Sequence, residues 1–193
     1  MIVGITGGSG TGKSTACRFF RENGWFIIDA DSVAREVCSK GTRCLGEIKA
    51  QFGAGIIDED GNLKRKELGE IVFSDKSRLD KLNSITHKYI VEEIKNRAKN
   101  NDGNIVIDAP LLLETGLDSL CDKTLCVLAD EDIRIKRICK RDMISAETAK
   151  NRIASQKEDS YYRERCDFAV MNNGTEEELI METAKIFGGN DGR

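Results

Sequence analysis

Between an apolar run, MIVGI, and a stretch of helical character, the chain places GGSGTGKST, residues 7–15. Gly7, four residues, then Gly12, Lys13 and Ser14 satisfy G-x-x-x-x-G-K-[ST], the spacing of a loop that wraps phosphate. Glycines let backbone N–H groups converge on phosphate oxygens, and the following helix adds the partial positive charge of its N-terminus. Within such a loop Lys13 reaches the β- and γ-phosphates, and the Ser14 hydroxyl is a ligand for Mg2+. The motif needs a strand before it and a helix after it, so residues 2–6 read as a buried strand and Lys13–Asn23 as a helix.

The same alternation recurs along the chain. WFIID (25–29), NIVID (104–108), TLCVL (124–128) and FAVM (168–171) are short apolar runs bounded by turn residues, with helical stretches between most of them. That rhythm predicts an α/β fold with a five-stranded parallel sheet and helices on both faces. The interval from Asp29 to Asn104 is far longer than the dozen or so residues a crossover takes. It contains a long amphipathic run with Leu79, Leu82, Ile85, Tyr89 and Ile90 at helical spacing, so residues 36–100 read as a helical insertion. The core is then 1–35, 101–133 and 164–188. A second insertion, 134–163, contains two charged helices joined near Ser145. Thr175 and Glu178 form a capping box that opens the last helix, and the GGNDGR tail is expected to fray.

Three further stretches carry chemistry. In IIDADSVAR (27–35) the second strand ends in Asp29 and Asp31, and ligands of open α/β sheets bind beyond the carboxyl ends of strands. Either carboxylate can take a proton from an attacking hydroxyl or help hold a metal; alternatively, Asp31 caps a helix starting at Ser32. In NIVIDAPLLLETG (104–116) a strand ends in Asp108, a position from which a carboxylate holds Mg2+ directly or through water. In RIKRICKRD (134–142), Ile135, Ile138 and Cys139 facing inward would make the basic residues fan outward. That is either a solvated face or a set of guanidinium groups that neutralise a transferring phosphate, with Arg152 joining from the next helix. The single histidine, His87, lies on the long insertion helix. IIDEDG (56–61) reads as a turn, since no N-K-x-D motif for reading guanine accompanies it.

Composition narrows the classes. A net charge of −3 leaves no basic footprint for nucleic acid. Seven cysteines, an odd count with no C-x-x-C pair, suggest neither a disulfide framework nor a zinc site. They fit a reducing, cytoplasmic setting. Nothing approaches the ~18 apolar residues of a membrane span, and no basic n-region opens the chain. From residues alone, a phosphoryl-transferring enzyme on a small acceptor, such as a nucleoside monophosphate, competes with a regulatory module that binds ATP without an acceptor.

The chain closely resembles the dephospho-CoA kinase family, through ITGGSGTGKST, IDADSVAR, FGAGIIDEDGNLKRKELGEIVFSD, APLLLE, RICKRD with RIASQ, and CDFAVMNNG. The resemblance implies a nucleotide-kinase-like P-loop NTPase fold with a helical CoA-substrate region at 36–100 and a lid at 134–163. It implies ATP as phosphoryl donor, Mg2+, and dephospho-CoA as acceptor at its ribose 3′-hydroxyl. Carried over residue by residue, Asp31 is the catalytic carboxylate, with Lys13, Arg137 and Arg141 completing the catalytic set. Gly8, Ser9, Gly10, Thr11, Gly12, Lys13, Ser14 and Thr15 bind ATP, together with Arg137, Arg141 and Arg152 of the lid and with Asn173 and Gly174 near the adenine. Arg35, His87, Leu111 and Glu114 line the acceptor site, with Ser14 and Asp108 toward the metal. The family pattern has proline after the histidine, an aromatic before the glutamate of P-L-L-x-E and commonly aspartate before Arg65; this chain has Lys88, Leu113 and Lys64.

Overall fold

The structure is a computed structural model and describes residues 1–189. In chain order its elements are β1 (Ile2–Thr6), α1 (Lys13–Glu22), β2 (Phe26–Asp29), α2 (Ala30–Val37), α3 (Arg43–Phe52), α4 (Arg65–Phe73), α5 (Lys76–Lys99), β3 (Ile105–Asp108), β4 (Lys123–Leu128), α6 (Glu131–Asp142), α7 (Ala146–Ala154), α8 (Asp159–Arg163), β5 (Phe168–Met171) and α9 (Glu176–Phe187), with single 3-10 turns at Ala54–Ile56 and Leu117–Leu120. They form two compact units, one of Met1–Ile28 with the chain from Asn101 onward, the other of Asp29–Asn100.

The first unit is the parallel sheet, in the order β2-β3-β1-β4-β5. All five strands fall where the apolar runs place them. Alternation along β4 explains why both faces are covered: Leu125 and Val127 pack with Phe19, Phe20, Leu179 and Phe187 of α1 and α9, whereas Cys126 and Leu128 pack with Tyr162 of α8 on the opposite face. Register sets Ile5 of β1 against Asp108 of β3 and Thr6 against Cys126 of β4. The carboxyl ends of the three central strands therefore lie side by side, with the glycine loop running out of the middle one. The capping box is present, as Thr175 Oγ1 accepts from Glu178 N and Glu178 closes back on Thr175 N. Two helices were expected in the second insertion, and there are three. The junction near Ser145 is present, with Ser145 capping α7, but the short α8 follows it. Of the GGNDGR tail, residues 190–193 lie outside the described residues.

The second unit is helical, with a core of Cys38, Cys44, Ile48, Ile56, Leu68, Val72 and Ile85. It begins at Asp29 rather than residue 36. The reason is that α2 packs along α5, where Arg97 pairs with Glu36 as well as with Glu93. The IIDEDG segment is a turn, as read: Ile57 bridges Leu63, and Asp58 accepts from the amide of Asn62 at 2.7 Å.

Lys64 is the N-cap of α4 and makes no side-chain capping bond. A lysine there leaves the first amides of α4 without a partner and sets a positive charge against the positive end of the helix dipole. Replacing Lys64 with Asp is expected to raise the unfolding free energy by about 0.5–2 kcal/mol, read from the denaturation midpoint.

Candidate active site

Helix α1 starts without any side-chain cap, because its N-cap is Gly12 in the left-handed region at φ 100°. A Cβ there would stand 2.1 Å from Asn172 Nδ2, so the position excludes other residues on two grounds. With no side chain satisfying them, the first amides of α1 are free to receive an anion. The loop before them is held by its carbonyl side. Arg134 Nε donates to Ser9 O at 2.9 Å, Asn172 Nδ2 donates to Thr11 O at 2.7 Å, and the Thr11 hydroxyl donates to Gly8 O at 2.9 Å. Arg137 Nη1 reaches Asn172 O at 3.0 Å, with longer contacts to Gly10 O and Thr11 O at 3.4 and 3.5 Å. Since C=O and the next N–H point in opposite directions across a planar peptide, gripping the carbonyls turns the following amides the other way.

Lys13, the first residue of α1, reaches across to β3 and donates to Asp108 Oδ1 at 2.8 Å. Both side chains are largely buried, and the parallel register brings them together by placing Asp108 beside the end of β1. Cys17, one turn further along α1, is buried against the pair, and burial followed by the Asp108 charge pushes its thiol pKa up. Ser14 is exposed at the mouth of the loop.

The basic residues of α6 do not all fan outward. Arg134 is only 5% exposed, lying against the loop, and Arg137 is half-buried with its guanidinium spent on backbone carbonyls and Asn172. Arg141 is exposed, and both it and Arg152 of α7 bind one carboxylate, Asp142. The hydrogen bonds from Arg141, then Arg152, hold the Asp142 pKa down at about 2. Asn173 accepts from the amide of Asp130 at 2.9 Å, and Gly174 leaves room for the Glu178 carboxylate. Leu111 and Glu114 are exposed in the segment after β3, whose Pro110 carbonyl accepts from the Thr6 hydroxyl at 3.1 Å.

In the helical unit, the cap of α2 is Asp29, not Asp31. Asp29 Oδ1 accepts from the amides of Asp31 at 2.9 Å and Ser32 at 3.2 Å. Asp31 sits exposed in the first helical turn. The capping alternative for Asp31 is thereby removed: the helix starts at Ala30, two residues earlier than that alternative required. Arg35 is exposed, and its carbonyl accepts from Arg65. His87 is half-buried, and desolvation lowers its pKa. Lys88 is used structurally, since its ammonium bonds both oxygens of Glu47 and lies 4.9 Å from the centre of the Tyr89 ring.

Three residues escaped assignment from sequence: Arg134, Gln156 and Asn172. The i, i+3 spacing of Arg134 and Arg137 on the side of α6 that carries Ile138 was a usable signal for Arg134. Asn172 follows β5 directly, at a strand's carboxyl end. Gln156, in the connection between α7 and α8, closes the RIASQ stretch of the family resemblance, but nothing in its local pattern points to the glycine loop.

The family model for dephospho-CoA kinase matches residues 1–178. The chain belongs to the dephospho-CoA kinase family. A relative from Fusobacterium nucleatum named dephospho-CoA kinase is 38% identical over 187 residues, covering 96% of each chain, and one from Geobacillus kaustophilus is 38% identical over 190 residues, covering 96% of this chain and 94% of its own. Among solved structures, dephospho-CoA kinase from Campylobacter jejuni superposes with a TM-score of 0.73 at 26% identity, covering 97% of this chain and 95% of its own. A Thermus thermophilus protein reaches 0.83 at 28% identity, covering 100% and 98%. The sheet and glycine loop are thus those of a dephospho-CoA kinase family member, and the arginine-rich helices α6 and α7 lie within the matched span.

The Asp142 carboxylate should titrate in the folded protein with a midpoint of about 2, against about 3.9 for an unperturbed aspartate, when followed by carbon NMR. Because the folded pKa is depressed, the pairing contributes fully above pH 4 and is lost as the pH falls from about 4 to about 2. A midpoint near 3.9 would mean that Arg141 and Arg152 are not held there in solution.

Proposed function

We propose that the chain transfers the γ-phosphoryl group of ATP to the ribose 3′-hydroxyl of dephospho-CoA, giving coenzyme A and ADP, the last step of coenzyme A formation. The observation that carries this reading is the uncapped start of α1 behind a glycine loop gripped by its carbonyls, in a chain of this family. The loop amides and the first turn of α1 take the phosphate oxygens. Lys13 supplies a mobile positive charge, exchanging its bond to Asp108 for phosphate oxygens. Arg141 and Arg152 add charge neutralisation from the 134–163 segment, which acts as a lid and excludes water that would hydrolyse ATP. Arg137 backs the loop, and Asn173 and Gly174 belong to the adenine side.

Asp31 orients the acceptor hydroxyl and removes its proton, and an exposed carboxylate with no capping duty suits that task. Arg35, His87, Leu111 and Glu114 contact dephospho-CoA. The donor set fits Mg2+: Ser14 and Asp108 offer oxygen, and among the described residues no group of three or more His, Cys, Asp or Glu forms a self-sufficient metal cage. Mg2+ characteristically takes one or two protein oxygens and completes its shell with water and phosphate. When bound, it offsets the charge of the β- and γ-phosphates. A cytoplasmic location is part of the reading and is supported by seven unpaired cysteines.

Coupled ADP release, measured across a panel of acceptors, tests the reading. Dephospho-CoA should stimulate turnover and nucleoside monophosphates should not; no stimulation by dephospho-CoA overturns it. Replacing Asp31 with Asn is expected to lower kcat by about 10²–10⁴ while ATP affinity stays within about twofold. Near-normal turnover would remove Asp31 from the mechanism.

A further inference from the structure

Ser9 is the one loop residue whose amide, carbonyl and hydroxyl are all taken by side chains from elsewhere in the unit. Its N–H donates to Gln156 Oε1 at 3.0 Å, its hydroxyl accepts from Gln156 Nε2 at 3.0 Å, and its carbonyl accepts from Arg134 Nε at 2.9 Å. Arg134 closes the set by donating through Nη2 to the same Gln156 oxygen at 2.8 Å, and its charge is balanced by Asp159 at 3.7 Å. The carboxamide thus reads both polar edges of Ser9, and a guanidinium nine-tenths buried braces it from behind. Gly8 is shaped to this contact: a Cβ there would stand 2.3 Å from Arg134 Nη2 and 2.8 Å from Gln156 Oε1. Gln156 lies outside the glycine motif, between α7 and α8.

We propose that Gln156 is a positioning residue for nucleotide binding: braced by Arg134, its carboxamide fixes the Ser9 end of the phosphate loop, so that ATP affinity depends on it. The inference rests on the reading that the loop binds ATP. A loop gripped at Thr11 by Asn172 but held at Ser9 through its carbonyl alone samples other backbone conformations, and ATP binding must then reselect the receptive one, which lowers the apparent affinity. The acceptor does not enter this equilibrium.

The test is Gln156→Met, which keeps the volume and removes all three polar contacts of the carboxamide, two to Ser9 and one to Arg134, while leaving Arg134 its bonds to the Ser9 carbonyl and Asp159. In the absence of acceptor, calorimetry should give an ATP dissociation constant weakened about tenfold, equivalent to about 1.4 kcal/mol. The KM for dephospho-CoA should stay within about twofold and the melting temperature within about 2 °C. In the unliganded variant the Ser9 amide should exchange its hydrogen faster than in the wild type, with the β1 amides unchanged. Wild-type ATP affinity in the variant overturns the proposal, as does unchanged Ser9 exchange, or a loss of affinity accompanied by an equal loss of acceptor binding and of stability. A wild-type protein that binds no ATP would instead overturn the reading on which it rests, so the two failures are separable.

Discussion

Everything at the head of this sheet follows from the need to keep a short run of backbone amides unsatisfied. A helix start without a cap leaves donors exposed, and most helices close them with a serine, threonine or aspartate. Here α2, α3, α5, α7 and α9 are capped by a side chain, whereas α1, α4, α6 and α8 are not, and of those four it is α1 that follows the glycine loop. The molecule keeps the amides free by spending its side-chain donors on the carbonyls behind them. Arg134, Arg137 and Asn172, from α6 and the end of β5, converge on the back of one loop. Their positions depend on the strand order, since β4, which leads into α6, flanks β1 directly and β5 flanks β4.

Charge is stored in the same frame. Lys13 and Asp108 neutralise each other across the end of β1, and Arg141 and Arg152 share Asp142. Each pair keeps a cation available without leaving it unpaired. In the proposed reaction, an incoming polyphosphate, with several charges in a small volume, would compete well against a single carboxylate for each of these cations. The free energy of that exchange is modest for the exposed Arg141 pair, where water screens both partners.

Much of the fold was legible because each local signal had one physical reading. Glycine spacing demanded strand and helix around it, and branched apolar runs of four or five residues could only be buried strands in a chain alternating with helices. Thr175 and Glu178 gave a cap by chemistry alone. Legibility failed where tertiary placement decided between equal local options. Asp29 and Asp31 are both good caps; only the helix's true start, at Ala30, selects Asp29. Arg134 looked like one more surface cation because charge patterning on a helix cannot distinguish solvent from a loop of carbonyls. Beyond its place in RIASQ, Gln156 carries no local physical signal, since its role exists only through Ser9, far away in the chain. Arg137, expected among the lid arginines, has its guanidinium on backbone carbonyls and Asn172, a bracing contact that its charge did not announce.

The most direct measurement of the central claim is phosphorus NMR of the complete reaction with MgATP and dephospho-CoA. Phosphate should pass from ATP to a new monoester on the ribose 3′-oxygen, with one ADP formed for each monoester. ADP accompanied by inorganic phosphate and unaltered dephospho-CoA, or a monoester on another hydroxyl, would contradict the account.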